Sequence, residues 1–220
     1  MIEINKLVRS RRKTLSLIVE PDGTLTVRAP LRMKESDIRS FIEQKKAWIK
    51  RKQVKAREEA LPVRLYMDEE RFWYLGKEVP LRIVPDGNPA LVMEKSFKLT
   101  ESAQPQAESI FTAWYKKQAR KVITERVELF ARQHGFKVKK IRISSARTRW
   151  GSCSQKGTLS FSWRLVMAPL NVIDYVVVHE LCHLKEMNHS KTFWVQVETI
   201  LPDYKTRRKW LKNHGKKLIL

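Results

Sequence analysis

Apolar and polar positions alternate along residues 13–20 and 24–28, with Pro21-Asp22-Gly23 between them, the pattern of two strands joined by a hairpin turn. Residues 2–9 can add a third strand. From Ser36 the period lengthens. Ile38, Phe41, Ile42, Lys45, Trp48 and Ile49 fall at helical spacing, which predicts one helix capped by Ser36 or Asp37 and running on through the basic residues 50–57. Strand patterns return at 71–75 and 78–84 on either side of Gly76-Lys77, and at 90–94 and 97–100 after the turn Pro85-Asp86-Gly87-Asn88. Residues 101–106 are polar with one proline and read as a linker. No repeat of solenoid period is visible.

Beyond the linker the period is helical again over 107–134, with Ile110, Phe111, Trp114, Val122, Ile123 and Phe130 on or near one face and Gly135 as the stop. Residues 138–144 and 158–166 read as strands flanking Arg147-Thr148-Arg149-Trp150-Gly151-Ser152-Cys153. Pro169 introduces a helix whose apolar run, 173–178, suits burial on most sides, with Asn171 as a cap. Ser190 caps a further helix that ends before Pro202, and Asp203 begins the last one, which stops near Gly215. These elements give an α+β protein: a β-rich N-terminal domain with one helix over 1–104, and a second domain over 105–220.

The apolar run of the second domain closes on His179-Glu180-Leu181-Cys182-His183, with His189 six positions further on. Residues four apart lie on one helix face, so His179 and His183 can present two imidazoles to one metal ion. Glu180 stands beside the first, able to reach a water there without becoming a ligand. His189 fits a third ligand carried back over the site after the helix stops; Glu186 and Glu198 are the alternatives. Three histidines leave a coordination position for water, the plan of a catalytic Zn2+ site and not of a closed structural one. The arrangement points to a metal-dependent hydrolase, foremost a peptidase. Zinc brings the pKa of a bound water to about 7; Glu180 is the candidate to take its proton and pass it to the leaving amine. Arg147, Arg149, Tyr175 and Tyr204 are candidates to steady the oxyanion. Cys182 reads as packing within the helix, and Cys153 as a structural neighbour of Trp150.

Composition narrows the setting. A hydrophobic share of 42% and a charged share of 31% describe a globular chain. The N-terminus lacks a signal-peptide core, no apolar run approaches the roughly eighteen residues of a membrane span, and two cysteines are too few for a disulfide scaffold. The expected location is the cytoplasm. The net charge of +22, concentrated in residues 1–60 and 105–150, favours nucleic acid, nucleotides or other polyanions as partners or substrates. Two further readings follow: phosphoanhydride hydrolysis of a nucleoside triphosphate by the same metal-activated water, and a peptidase recruited by DNA or RNA. No P-loop and no recognised nucleic-acid-binding motif accompanies the charge.

The string Arg149-Trp150-Gly151-Ser152-Cys153, then Ala168-Pro169, then residues 174–184 around the paired histidines, then Asn188-His189-Ser190 and Phe193-Trp194, resembles the YgjP-like metal-dependent hydrolases, which are distantly similar to SprT-like peptidases. The likeness is strong over 142–215 and looser before it. It implies a zincin-like C-terminal metallopeptidase domain, His179, His183 and His189 as metal ligands, Glu180 as catalytic acid/base, and a peptide or protein substrate. Metzincins place glycine between the second and third histidines and a methionine turn later; Glu186 occupies the glycine position here, and Asn188 is the candidate for reversing the chain. By analogy with zincins, the strand over 158–166 would border the cleft and pair with an extended peptide.

Overall fold

The computed structural model describes residues 2–20, 22–58, 64–218 and 220. The chain divides into two compact units, Met1–Val63 and Arg64–Leu220. Three small sheets and six α-helices are present among the described residues, the mixed α+β class that the patterning implies.

In the first unit, β1 (Lys6–Ser10), β2 (Ser16–Val19) and β3 (Leu25–Pro30) form a sheet of order β1-β3-β2. The expected hairpin joins β2 and β3, with Leu17 opposite Val27; Pro21 of its turn lies outside the described residues. Leu25, Val27 and Ala29 bury one face of β3 in a core with Ile38, Ile42 and Ile49. The single helix expected over 36–57 is two helices, α1 (Glu35–Gln44) and α2 (Lys46–Glu58), separated at Lys45. Lys34 is the N-cap of α1 and makes no side-chain cap bond, so neither Ser36 nor Asp37 caps it. Asp37 stays in the first turn, where an acidic group complements the helix dipole.

The second unit opens with β4 (Arg71–Tyr74), β5 (Lys77–Val84), β6 (Leu91–Met93) and β7 (Phe97–Thr100), in the order β4-β5-β7-β6. Phe72 and Phe97 pack on Phe111 of α3 (Ala107–His134), with ring centroids 4.5 and 5.1 Å apart. This shared core places the boundary between compact units at 63/64 instead of the expected 104/105. The expected linker at 101–106 is a 3-10 helix leading directly into α3. Ala103 is buried there, Asp86 accepts from the Ser102 N–H at 3.0 Å, and Gln104 donates to the Tyr66 carbonyl at 3.1 Å. α3 buries Ala107, Phe111, Tyr115, Ala119, Ile123, Val127 and Phe130 along one stripe, while Ile110, Trp114 and Val122 flank it half-buried. It stops at Gly135 as expected.

The third sheet joins β8 (Lys140–Ser144), β9 (Gly151–Cys153) and β10 (Thr158–Ser162) in the order β8-β10-β9. The strand expected to run to 166 ends at Ser162, because Trp163–Met167 coil into a 3-10 helix that is mostly buried. α4 (Leu170–Cys182), α5 (Lys191–Ile200) and α6 (Tyr204–His214) complete the unit.

The β4–β5 hairpin fixes where α4 begins. Leu75 and Gly76 form its two-residue turn at φ 48° and 79°, a conformation favoured by glycine. Their N–H groups bond the Val166 and Met167 carbonyls at 2.9 and 3.0 Å. A Cβ on Gly76 would lie 2.7 Å from Pro169 Cγ, so only glycine lets the turn rest on the residue before the helix. Pro169 is the N-cap, and Asn171 is inside the first turn and not the expected cap. Arg126 on α3 then grips Asp174 on α4 through two bonds, 2.6 and 2.9 Å.

Candidate metal centre

α4 carries His179 and Glu180, and His183 closes its last turn as the C-cap. The helix is apolar because it is enclosed: Val172, Ile173, Val176, Val177, Val178, Leu181 and Cys182 are all buried. After His183 the chain reverses through 184–189 without a left-handed Asn188. The Glu186 N–H bonds the Cys182 carbonyl at 3.0 Å, and the Glu186 carboxylate accepts from the Asn188 N–H at 3.3 Å. Ser190 caps α5 as expected, accepting from the Phe193 N–H at 3.2 Å.

This reversal brings His189 over α4. One potential ligand atom from each of His179, His183 and His189 lies within 4.8 Å of the others. The Nε2 atoms of His179 and His189 face each other at 3.0 Å. Two zinc-bound imidazole nitrogens in a tetrahedral site stand about 3.3 Å apart, given bonds of about 2.0–2.1 Å, so the pair already has nearly the separation a shared ion requires. His183 Nδ1 meets the Glu186 carbonyl at 3.0 Å. A carbonyl only accepts, so Nδ1 carries the proton and Nε2 is left as a lone-pair donor. Burial, then the neighbouring imidazoles and Arg208, lower the His179 pKa to about 3, and burial, then His183 and Arg208, lower that of His189. The donor set fits a borderline ion such as zinc. Neither rival lies in this group: the Glu198 carboxylate pairs with Lys205, and that of Glu186 is turned to its own loop.

Aromatic rings wall the cluster. Phe193 is fully buried and lies 4.5 Å from the His183 ring centroid. His189 stacks on Trp194, Trp194 on Tyr204, and Tyr204 on Tyr175, which touches His179 edge-on. The exposed Arg208 guanidinium covers Trp194 at 4.9 Å.

Glu180, the residue after His179 on α4, is only 5% exposed. A Cβ on Gly151 of β9 would come within 2.5 Å of its Oε1, 2.6 Å of Cγ and 2.8 Å of Cδ. The carboxylate therefore rests in the space that a side chain at 151 would fill. Burial pushes its pKa up to about 8, opposed by Arg149. Cys153, two residues along, has its thiol pushed up to about 11 by burial and by the Glu180 charge, and Cys182 is pushed equally high by burial. Neither resembles an activated thiolate.

Of the four oxyanion candidates, Arg149 acts on Glu180, Tyr175 and Tyr204 belong to the aromatic wall, and Arg147 is exposed on the loop between β8 and β9. Sequence reasoning missed Gly151 as the seat of Glu180 and Arg208 as a cation beside the ligands. The glycine was already in the motif string, but nothing local marked what it faces. The strand facing α4 is β9; β10 lies between β8 and β9 with both edges paired, so it has no edge for the peptide expected there. Lys116, Lys117, Arg120 and Lys121 are exposed on α3. No described helix is long and apolar enough to cross a membrane.

A family model described as YgjP-like, metallopeptidase domain, matches residues 13–214. No curated protein is a significant match. Among solved structures the chain is similar to the crystal structure of the metallopeptidase zymogen of Pyrococcus abyssi abylysin, with 26% identity over 41% of this chain and 93% of that one, and a TM-score of 0.37.

Proposed function

The chain belongs to the YgjP-like family, whose model is described as a metallopeptidase domain, and on that premise we propose that it is a zinc-dependent peptidase whose second unit is zincin-like. The observation that carries this reading is the meeting within 4.8 Å of three imidazole donors, His179 on α4, His183 at its C-cap and His189 from the loop that folds back over it, beside the buried Glu180 of the same helix. His179, His183 and His189 would hold the zinc, which when bound acidifies a water and polarises the scissile carbonyl. Glu180 is the general base. Its enclosed seat on Gly151 makes the carboxylate a stronger proton acceptor than a solvated one, and it returns the proton to the leaving amine. Arg208, stacked on Trp194 beside the histidines, supplies positive charge toward the developing oxyanion.

The substrate is an extended peptide laid along β9. Ser162 N–H bonds the Trp150 carbonyl and Ser154 N–H bonds the Thr158 carbonyl, both toward β10. By strand alternation the backbone groups of Gly151 and Cys153 face the outer edge. That edge takes the role assigned from the sequence to residues 158–166, and it lets main-chain bonds hold a peptide beside Glu180.

The test is Glu180→Gln. The amide keeps the shape but cannot accept a proton, so metal content should be retained while hydrolysis of an unfolded protein falls about 10²- to 10⁴-fold. Unchanged proteolysis would remove Glu180 from the mechanism. Nucleoside triphosphate hydrolysis that vanishes in this variant, with no proteolysis in the wild type, would replace the peptidase reading with phosphoanhydride chemistry.

A further inference from the structure

The loop between β8 and β9 carries Arg147 and Arg149, and Arg164 lies just past the end of β10. Three bonds draw these segments together. Ser162 N–H bonds the Trp150 carbonyl at 2.9 Å, Ser162 Oγ donates to the Ala146 carbonyl at 2.8 Å, and Arg164 Nη1 donates to the Ser145 carbonyl at 3.2 Å. Both ends of that loop are thus tied to the end of β10, so Arg147, Arg149 and Arg164 all belong to the end of the sheet where β8 and β10 stop and β9 begins.

The charges there are unbalanced. Arg126, Arg64, Arg82 and Arg207 in the same unit each pair with a carboxylate. Among the described residues no carboxylate forms an ion pair with Arg147 or Arg164. The Arg164 guanidinium lies 4.2 Å above the Trp163 ring and its Nε is buried without an acceptor. Burial and the nearby Arg147 both hold it below the usual arginine range. A half-desolvated guanidinium beside a second one is unfavourable until an anion arrives, and its planar fork matches a carboxylate.

We propose that Arg147, Arg149 and Arg164 form a subsite for an aspartate or glutamate side chain of a peptide lying along the free edge of β9, which makes the substrate class acidic peptides. This rests on the peptidase reading above. Nucleic acid is the weaker occupant, because backbone recognition draws on many phosphate contacts along a groove, whereas these arginines gather at one strand end continuous with Glu180.

The experiment measures binding, so it does not depend on turnover. Extended peptides matched except for glutamate or glutamine at one position in turn are titrated into zinc-loaded Glu180→Gln protein. At one or two positions the glutamate peptide should bind roughly 10- to 100-fold more tightly, the range expected for hydrogen bonds between charged groups. Arg147→Gln, a change at an exposed residue, should abolish that preference and leave the glutamine peptide's affinity unchanged. Equal affinities at every position would overturn the subsite, as would a preference that survives Arg147→Gln. Binding of a single-stranded oligonucleotide that is lost in Arg147→Gln, with no glutamate preference, would overturn it in favour of nucleic acid. Arginine-dependent acidic-peptide binding without wild-type cleavage would keep the subsite and defeat the peptidase reading; cleavage without the preference would do the reverse.

Discussion

Gly151→Ala is the sharpest perturbation the structure offers. The added methyl would stand 2.5 Å from Glu180 Oε1 and 2.6 Å from Cγ, where ordinary carbon contacts begin near 3.4 Å. Glu180 cannot yield by moving its helix, because α4 is enclosed by its buried apolar residues and tied to α3 by the Arg126–Asp174 pair. The side chain itself must retreat by about 1 Å, and a misplacement of that size costs on the order of 10²-fold in rate. Overpacking a well-filled site costs about 1–3 kcal/mol of stability. The variant should therefore bind zinc normally, unfold at lower denaturant concentration, and cleave an unfolded substrate about a hundredfold more slowly. A double-mutant cycle isolates the cause. If Gly151 acts only by seating Glu180, Gly151→Ala in the Glu180→Gln background adds little further loss of rate. Wild-type turnover in Gly151→Ala, or losses that multiply across the cycle, would refute the seat.

His189→Ala should greatly weaken zinc binding while Glu198→Ala leaves it intact, read by metal analysis after dialysis; the opposite pattern would make Glu198 the third ligand. Arg126→Ala strands Asp174, which is mostly buried, and should cost about 3 kcal/mol in urea unfolding with zinc still bound in the folded fraction. Tyr115→Phe removes the donor that satisfies the Trp73 carbonyl at 2.6 Å and should cost about 1–3 kcal/mol; an unchanged unfolding midpoint would show that this carbonyl finds another donor.

What the sequence discloses is what neighbouring residues decide. The long helix over 107–134 with its Gly135 stop, the Ser190 cap and the pairing of His179 with His183 depend on spacings within a turn or two, and each is found where expected. Residues that owe their place to distant parts of the chain are misread. Residues 101–106 look like a linker because they are polar, yet Asp86 and Tyr66 supply their hydrogen-bond partners. β9 has only three residues, too few for alternation to register, and its glycine acquires meaning from Glu180, twenty-nine positions later. Arg208 comes over Trp194, the ring on which His189 stacks, only because α6 folds back across it. The helix over 36–57 failed differently: helical spacing continues through Lys45, and nothing in the pattern marks the break.

The central claim is that His179, His183 and His189 hold a zinc ion on which peptide hydrolysis depends. Zinc titrated into chelator-stripped protein, with cleavage of an unfolded protein followed at each addition, tests it most directly. Cleavage should be absent from the stripped protein, rise in proportion to added zinc and level off at about one ion per chain. Proteolysis that persists after stripping, or that never appears at full zinc occupancy, would contradict it.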